Sequence, residues 1–84
     1  MAYRVELEPK ALRGFGALRP RERERISTRL KALEAEPRPQ GCRKLKAIPG
    51  FRLSIGDYRI IYTVNDAAAT VTVWRIGHRR DVYR

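Results

Sequence analysis

Gly56-Asp57 separates two runs rich in β-branched and aromatic residues, 51–55 and 58–64, which is the pattern of a tight β-hairpin. Glycine takes the positive φ that a type II′ turn needs at its first central residue. A two-residue turn fixes the register: Ile55 opposes Tyr58, Ser54 opposes Arg59, Leu53 opposes Ile60 and Arg52 opposes Ile61. Opposed residues share a face. Phe51, Leu53, Ile55, Tyr58, Ile60 and Tyr62 then make the core side, and Arg52, Ser54 and Arg59 the other. Like charges this close repel, so the arrangement calls for a bound anion, or for a structural counter-charge from Asp57 or a C-terminal group.

A third strand over 70–76 completes a meander. With a loop at 65–69, Trp74 would oppose Ile60 and Ile76 would oppose Tyr58 on the core side. Arg75 would face Arg59, and Ile61, Val71 and Val73 would lie on the arginine side. Upstream, Tyr3, Val5 and Leu7 alternate with Arg4 and Glu6, the pattern of a half-buried strand. Pro9 suits a first helical turn, and Ala11, Leu12, Phe15 and Leu18 give a short amphipathic helix weakened by Gly14 and Gly16. Pro20 opens a better helix over 20–35, with Ile26, Leu30 and Leu33 on one face, stopped before Pro37 and Pro39. Arg21, Arg25 and Arg29 line another side of it, read as a solvated face or as a docking stripe for RNA or an acidic partner. Residues 37–50 are irregular and basic, with Lys44-Leu45-Lys46 either a short strand or a loop.

The expected fold class is α+β: an N-terminal strand, two helices, then a three-strand antiparallel meander forming a small sheet with the helices on one face. Residues 1–84 make a single domain with a lean core. No apolar run approaches a membrane span and no signal-peptide core is present, so the expected location is cytoplasmic, without a membrane partner. One cysteine and one histidine argue against a disulfide or a metal site, and no cofactor is expected.

Charge narrows the partners. The net charge is +10. Residues 1–36 carry nine Lys/Arg against six Asp/Glu, whereas residues 37–84 carry ten against three. The strands are thus the basic half, and polyanions are the expected partners. Fifteen of the nineteen cations are arginine, the residue that binds phosphate as a fork.

After the third strand come Gly77, where the chain can bend, and His78-Arg79-Arg80-Asp81-Val82-Tyr83. Cutting RNA with its own 2′-hydroxyl requires a base, charge stabilisation for a five-coordinate phosphate, and an acid for the leaving oxygen. Tyrosine titrates near 10, but flanking guanidinium groups favour its phenolate, so Tyr83 beside Arg79 and Arg52 suits proton transfer. His78 is the conventional candidate for the other transfer.

The strand–helix–helix–meander order, Lys44-Leu45-Lys46, Arg52 ahead of Gly56-Asp57-Tyr58-Arg59-Ile60-Ile61-Tyr62, and the ending Gly77-His78-Arg79 with Val82-Tyr83 resemble the RelE branch of the RelE/ParE toxin superfamily. The resemblance covers nearly the whole chain and is strongest from residue 43 onward. It implies the toxin of a type II toxin–antitoxin system, a metal-free, ribosome-dependent mRNA endonuclease. The implied partners are a cognate RelB-like antitoxin, the ribosome and mRNA, with operator DNA bound only through the toxin–antitoxin complex. By the same resemblance Arg52, Arg59 and Arg79 neutralise the scissile phosphate, Tyr83 is the general base, and His78 neighbours a functional arginine. Lys44 and Lys46, with Arg75 and Arg80, contact RNA. Ser54 stands where familiar members carry a basic residue, which leaves the acid role to His78 or an arginine. Two other readings share the fold: a ParE-like inhibitor of DNA gyrase, and a non-catalytic module that binds RNA or a partner.

Overall fold

The computed structural model describes residues 2–82. Five strands and two helices follow one another as β1 (Arg4–Leu7), α1 (Pro9–Gly16), α2 (Pro20–Ala32), β2 (Arg43–Lys44), β3 (Phe51–Ile55), β4 (Tyr58–Asn65) and β5 (Thr70–His78). They form one sheet in the order β1-β5-β4-β3-β2. The meander β3–β4–β5 is antiparallel, as expected. β1 runs parallel to β5, with Arg4 opposite Thr70 and Leu7 opposite Val73, so the sheet is mixed and not purely antiparallel. The helices between β1 and the meander provide the long connection that a parallel pairing requires.

Each helix begins with proline in its first turn, where the missing N–H costs no hydrogen bond. α2 stops at Ala32, short of the expected residue 35. The chain then tightens into i→i+3 bonds, from the Glu34 N–H to the Lys31 carbonyl and from the Ala35 N–H to the Ala32 carbonyl. Ala11 of α1, and Ile26 and Leu30 of α2 with Leu33 just beyond it, pack with Leu53, Ile55, Ile60, Tyr62, Val71, Val73 and Ile76 into one core. Both helices therefore cover the same face of the sheet. Leu12, assigned to the apolar stripe of α1, is instead exposed.

Gly14, which lowers helix propensity, has a packing role. A Cβ placed there would overlap the carbonyl oxygen of Ile76. The α1 backbone thus lies directly against β5 beyond the end of β1, and only a residue without a side chain permits that approach.

The first hairpin has the expected register, from Ile55 opposite Tyr58 to Phe51 opposite Tyr62. Gly56 has φ +59°, as a II′ turn requires. The second hairpin differs from expectation in two ways. Asn65 opposes Thr70, which makes the loop one residue shorter, and a bulge interrupts the ladder between Ile61 and Tyr62. A one-residue slip exchanges the two faces of a strand. Val71 and Val73 accordingly point into the core. The extra residue at the bulge, Trp74, is 45% exposed. Beyond it Ile60 opposes Ile76 and Ile61 opposes Arg75, so Arg75 does not face Arg59, whose partner is Gly77.

Candidate functional site

The helices leave the other face of the sheet open, and the strand registers place basic residues across it. Arg43 of β2 opposes Arg52 of β3, Arg52 opposes Ile61 of β4, and Ile61 opposes Arg75 of β5. Because opposed residues share a face, Arg43, Arg52, Ile61 and Arg75 form one row across four strands. Ile61 is buried yet lies outside the main core cluster, consistent with a position beneath the flanking arginines. One step along the strands, Ser54 opposes Arg59, and Arg59 opposes Gly77.

Two cations of the row, Arg43 and Arg52, are paired with no carboxylate among the described residues. Ion pairs elsewhere join Arg4 to Glu6, Arg25 to Glu22, Arg38 to Asp66 and Arg79 to Asp57. Arg43, Arg52 and Arg59 belong to none of them. Arg52 is half-buried, and its Nε is shielded from solvent without a hydrogen-bond partner among the described residues. A buried guanidinium N–H left unpaired is costly, and an anionic oxygen laid on this face would satisfy it. Arg75 donates through Nη2 to the Asp81 carbonyl at 3.1 Å, which ties β5 to the turn after it.

Arg59 is held differently. Its Nη1 donates to the carbonyls of Gly56 at 2.9 Å and Tyr58 at 3.0 Å, so its head is fastened to the hairpin turn. Arg79 reaches the same turn from β5. Its backbone N–H donates to the Asp57 carbonyl at 2.8 Å, and its exposed side chain lies 4.0 Å from the Asp57 carboxylate. Arg59 and Arg79 thus meet at one end of the sheet, with the Arg43–Arg52–Arg75 row two residues further along it.

His78 opposes Tyr58, whose face is that of Ile60 and the core. The two rings meet edge to face at 5.6 Å, and His78 Nδ1 accepts the backbone N–H of Arg80 at 3.2 Å. The histidine is therefore separated by the sheet from the row of arginines. Tyr83 lies outside the described residues. Lys44 is exposed and opposes Phe51, which puts it on the register of Phe51 and Tyr62 and off that of Arg52. Lys46 is exposed in the loop before β3, and Arg80 is exposed in the turn after β5. Among the described residues no three His, Cys, Asp or Glu side chains converge as metal ligands would.

Arg43 completes the row although sequence reasoning did not select it. It sits in an irregular basic stretch whose pairing no alternation announces. Only the two-residue strand β2, pairing Arg43 with Arg52 and Lys44 with Phe51, shows which of the neighbouring cations shares the arginine face.

Comparison with known proteins agrees with this architecture. The family model described as the ParE toxin of type II toxin–antitoxin system, parDE, matches residues 5–83. Toxin RelG of Mycobacterium tuberculosis is 36% identical over 53 residues, a stretch covering 62% of this chain and 61% of that protein, so the match spans under two thirds of that relative. Among solved structures, a chain of the toxin–antitoxin complex RelBE2 from Mycobacterium tuberculosis superposes with a TM-score of 0.84 at 27% identity, covering 94% of this chain and 100% of that one. A chain of the RelE–RelB complex from Pyrococcus horikoshii gives 0.83 at 26% identity over 96% of this chain and 99% of that one. The isolated RelE toxin of E. coli gives 0.81 at 28% identity, covering 98% and 92%.

Proposed function

Since the chain belongs to the ParE toxin family of type II toxin–antitoxin systems and has the fold of the RelE toxins, we propose that it is an mRNA endonuclease that acts on the translating ribosome. Its neutralising partner is a RelB-like antitoxin, a reading supported by the complexes in which similar chains were solved. The observation that carries the enzymatic reading is the arginine row on the open face, with the buried Nε of Arg52, which has no hydrogen-bond partner among the described residues, at its centre. A surface that merely held another protein would have little use for three guanidinium groups in one register.

In this reading the 2′-hydroxyl gives up its proton and attacks the adjacent phosphorus, the bond to the 5′-oxygen breaks, and that oxygen takes up a proton. The products are a 2′,3′-cyclic phosphate and a 5′-hydroxyl end. Arg52, with Arg43 and Arg75 beside it, neutralises the extra charge on the five-coordinate phosphorus. Arg59 and Arg79 hold the strand at the turn end. Tyr83 accepts the nucleophile's proton. His78 serves best through its contacts with Tyr58 and Arg80, positioning the segment that carries Arg79, and the acid role passes to an arginine. Lys44, Lys46 and Arg80 contact ribosomal or messenger RNA.

The test is cleavage of a defined message by the purified protein, mapped by primer extension with and without translating ribosomes. Cuts that require ribosomes and vanish in Arg52→Ala support the reading; intact message in both conditions rejects it. The ParE description of the matching family favours one competing reading, gyrase inhibition by binding. A supercoiling assay decides it, because an endonuclease leaves DNA gyrase active.

A further inference from the structure

Trp74 is the residue on the open face that the proposed chemistry leaves unused. The bulge between Ile61 and Tyr62 makes it the extra residue of β5. Its indole N–H donates to Thr63 Oγ1 at 2.9 Å, which holds the ring in place and satisfies its polar atom. Thr63 alternates with Ile61 and Arg59 along β4, so the indole stands on the arginine face, 45% exposed. Thr63 lies two residues along β4 from Ile61, a step of roughly 7 Å, and Trp74 directly precedes Arg75, so the ring borders the Arg52–Ile61–Arg75 row.

Resting on the function proposed above, we infer that Trp74 is a base-stacking platform for single-stranded RNA, taking the nucleobase next to the phosphate held by the arginine row. A fixed, flat ring beside guanidinium groups is how proteins hold single strands, with bases stacked on aromatics and the backbone tracked by cations. A protein partner is the poorer match. Among the described residues the other exposed large apolar side chains are Leu12, on α1, which packs on the opposite face of the sheet, and Ile48, in the loop before β3, so the open face offers the indole at most one exposed apolar companion in a basic surrounding. Every base has a π-face, so the platform strengthens RNA binding without selecting a codon.

The chain contains a single tryptophan, which makes its fluorescence a reporter of this position. Titration of the purified protein with a 2′-O-methyl hexanucleotide, which cannot be cut, is expected to quench the emission saturably. Trp74→Leu keeps an apolar side chain but loses the flat face. It is expected to raise KM for ribosome-programmed message about tenfold with little change in kcat. Trp74→Phe is expected to keep most of the parent's KM. Unchanged emission on RNA addition, with Trp74→Leu cutting like the parent while Arg52→Ala does not, overturns the platform and leaves the endonuclease reading standing. Emission that responds to an antitoxin peptide and not to RNA makes the ring a protein contact, and also overturns it. Absence of ribosome-dependent cutting in the parent removes the function itself, and the platform with it.

Discussion

Arg38 grips Asp66 through both terminal nitrogens, at 3.1 Å and 2.9 Å, while Tyr3 donates its hydroxyl to the same carboxylate at 2.6 Å. The guanidinium also lies over the Phe51 ring, 5.6 Å from its centre. One exposed brace thus joins the chain before β1, the segment after α2, the β4–β5 loop and the start of the strand that carries Arg52.

This brace gives the fold an acid-sensitive element. The paired Arg38, and then the Tyr3 hydroxyl, hold the Asp66 carboxyl below the usual carboxylate range. A depressed carboxyl contributes stability above its unfolded value near 3.9, and that contribution is lost as pH falls through the lower folded value. Asp66→Asn is expected to lower the Tm modestly at neutral pH and to leave the difference smaller at pH 3. The gap should also shrink in high salt, because the pair is exposed. Thermal melts at the two pH values check this.

Tyr62 sets the alkaline limit. Its side chain is buried under the helices, and its hydroxyl donates to the Pro37 carbonyl at 2.9 Å. Burial above all, and then the nearby Cys42, push its ionisation far above the ordinary tyrosine value. Folding therefore favours the neutral phenol. The associated stability is complete below about pH 10 and declines as pH rises beyond it. Tyr62→Phe is expected to cost roughly 1 to 2 kcal/mol by urea unfolding at pH 7, since the Pro37 carbonyl loses its donor. Absorbance titration should show Tyr62 silent until the protein unfolds.

Two glycines on one helix should respond in opposite directions. Replacing an interior helical glycine with alanine ordinarily stabilises by up to about 1 kcal/mol. Gly16, the last residue of α1, has open space around its would-be Cβ and no positive φ, and Gly16→Ala is expected to gain about 0.5 kcal/mol, chiefly by restricting the unfolded chain. Gly14→Ala drives a methyl group into the Ile76 carbonyl and is expected to destabilise by about 2 kcal/mol or more, a scale set by overpacking. Denaturant midpoints of the two variants, both made on an Arg52→Ala background to limit toxicity, test the contrast.

Arg52 carries the catalytic claim. Arg52→Ala is expected to raise the barrier to cleavage by about 3 kcal/mol, a rate loss of roughly a hundredfold, as when an oxyanion donor is removed. Arg52→Lys restores the charge without the Nε–H and is expected to recover only part of the rate. Single-turnover cleavage on stalled ribosomes measures both. A parent-like rate in Arg52→Ala places the residue outside the site.

The first hairpin was legible because Gly56-Asp57 leaves no freedom in the pairing: Leu53 and Ile55 had to turn inward, and Arg52 and Arg59 outward. The helices were legible from Pro9, Pro20 and the spacing of Ile26, Leu30 and Leu33. The second hairpin was not. Nothing in Asn65-Asp66-Ala67-Ala68-Ala69 states whether the loop has four or five residues, and a bulge leaves no mark on a run such as Val71-Thr72-Val73-Trp74-Arg75-Ile76. That ambiguity put Trp74 in the core and Val73 outside it. At the site, Arg52, Arg59 and Arg75 were found on the open face, whereas Arg43 and the separation of His78 from the row depended on pairings made in space.

β1 has a single neighbour in the sheet, β5, and every residue it pairs with lies between Thr70 and Val73. During synthesis β1 must therefore wait for β5, the last of this domain's strands, before it can dock. No amino-terminal part of the domain can complete its sheet early, and a nascent chain interrupted before β5 lacks Arg75 and Arg79 as well as the edge that receives β1. If the protein attacks translating ribosomes, the topology itself keeps the domain unarmed until β5 has left the ribosome that is making it.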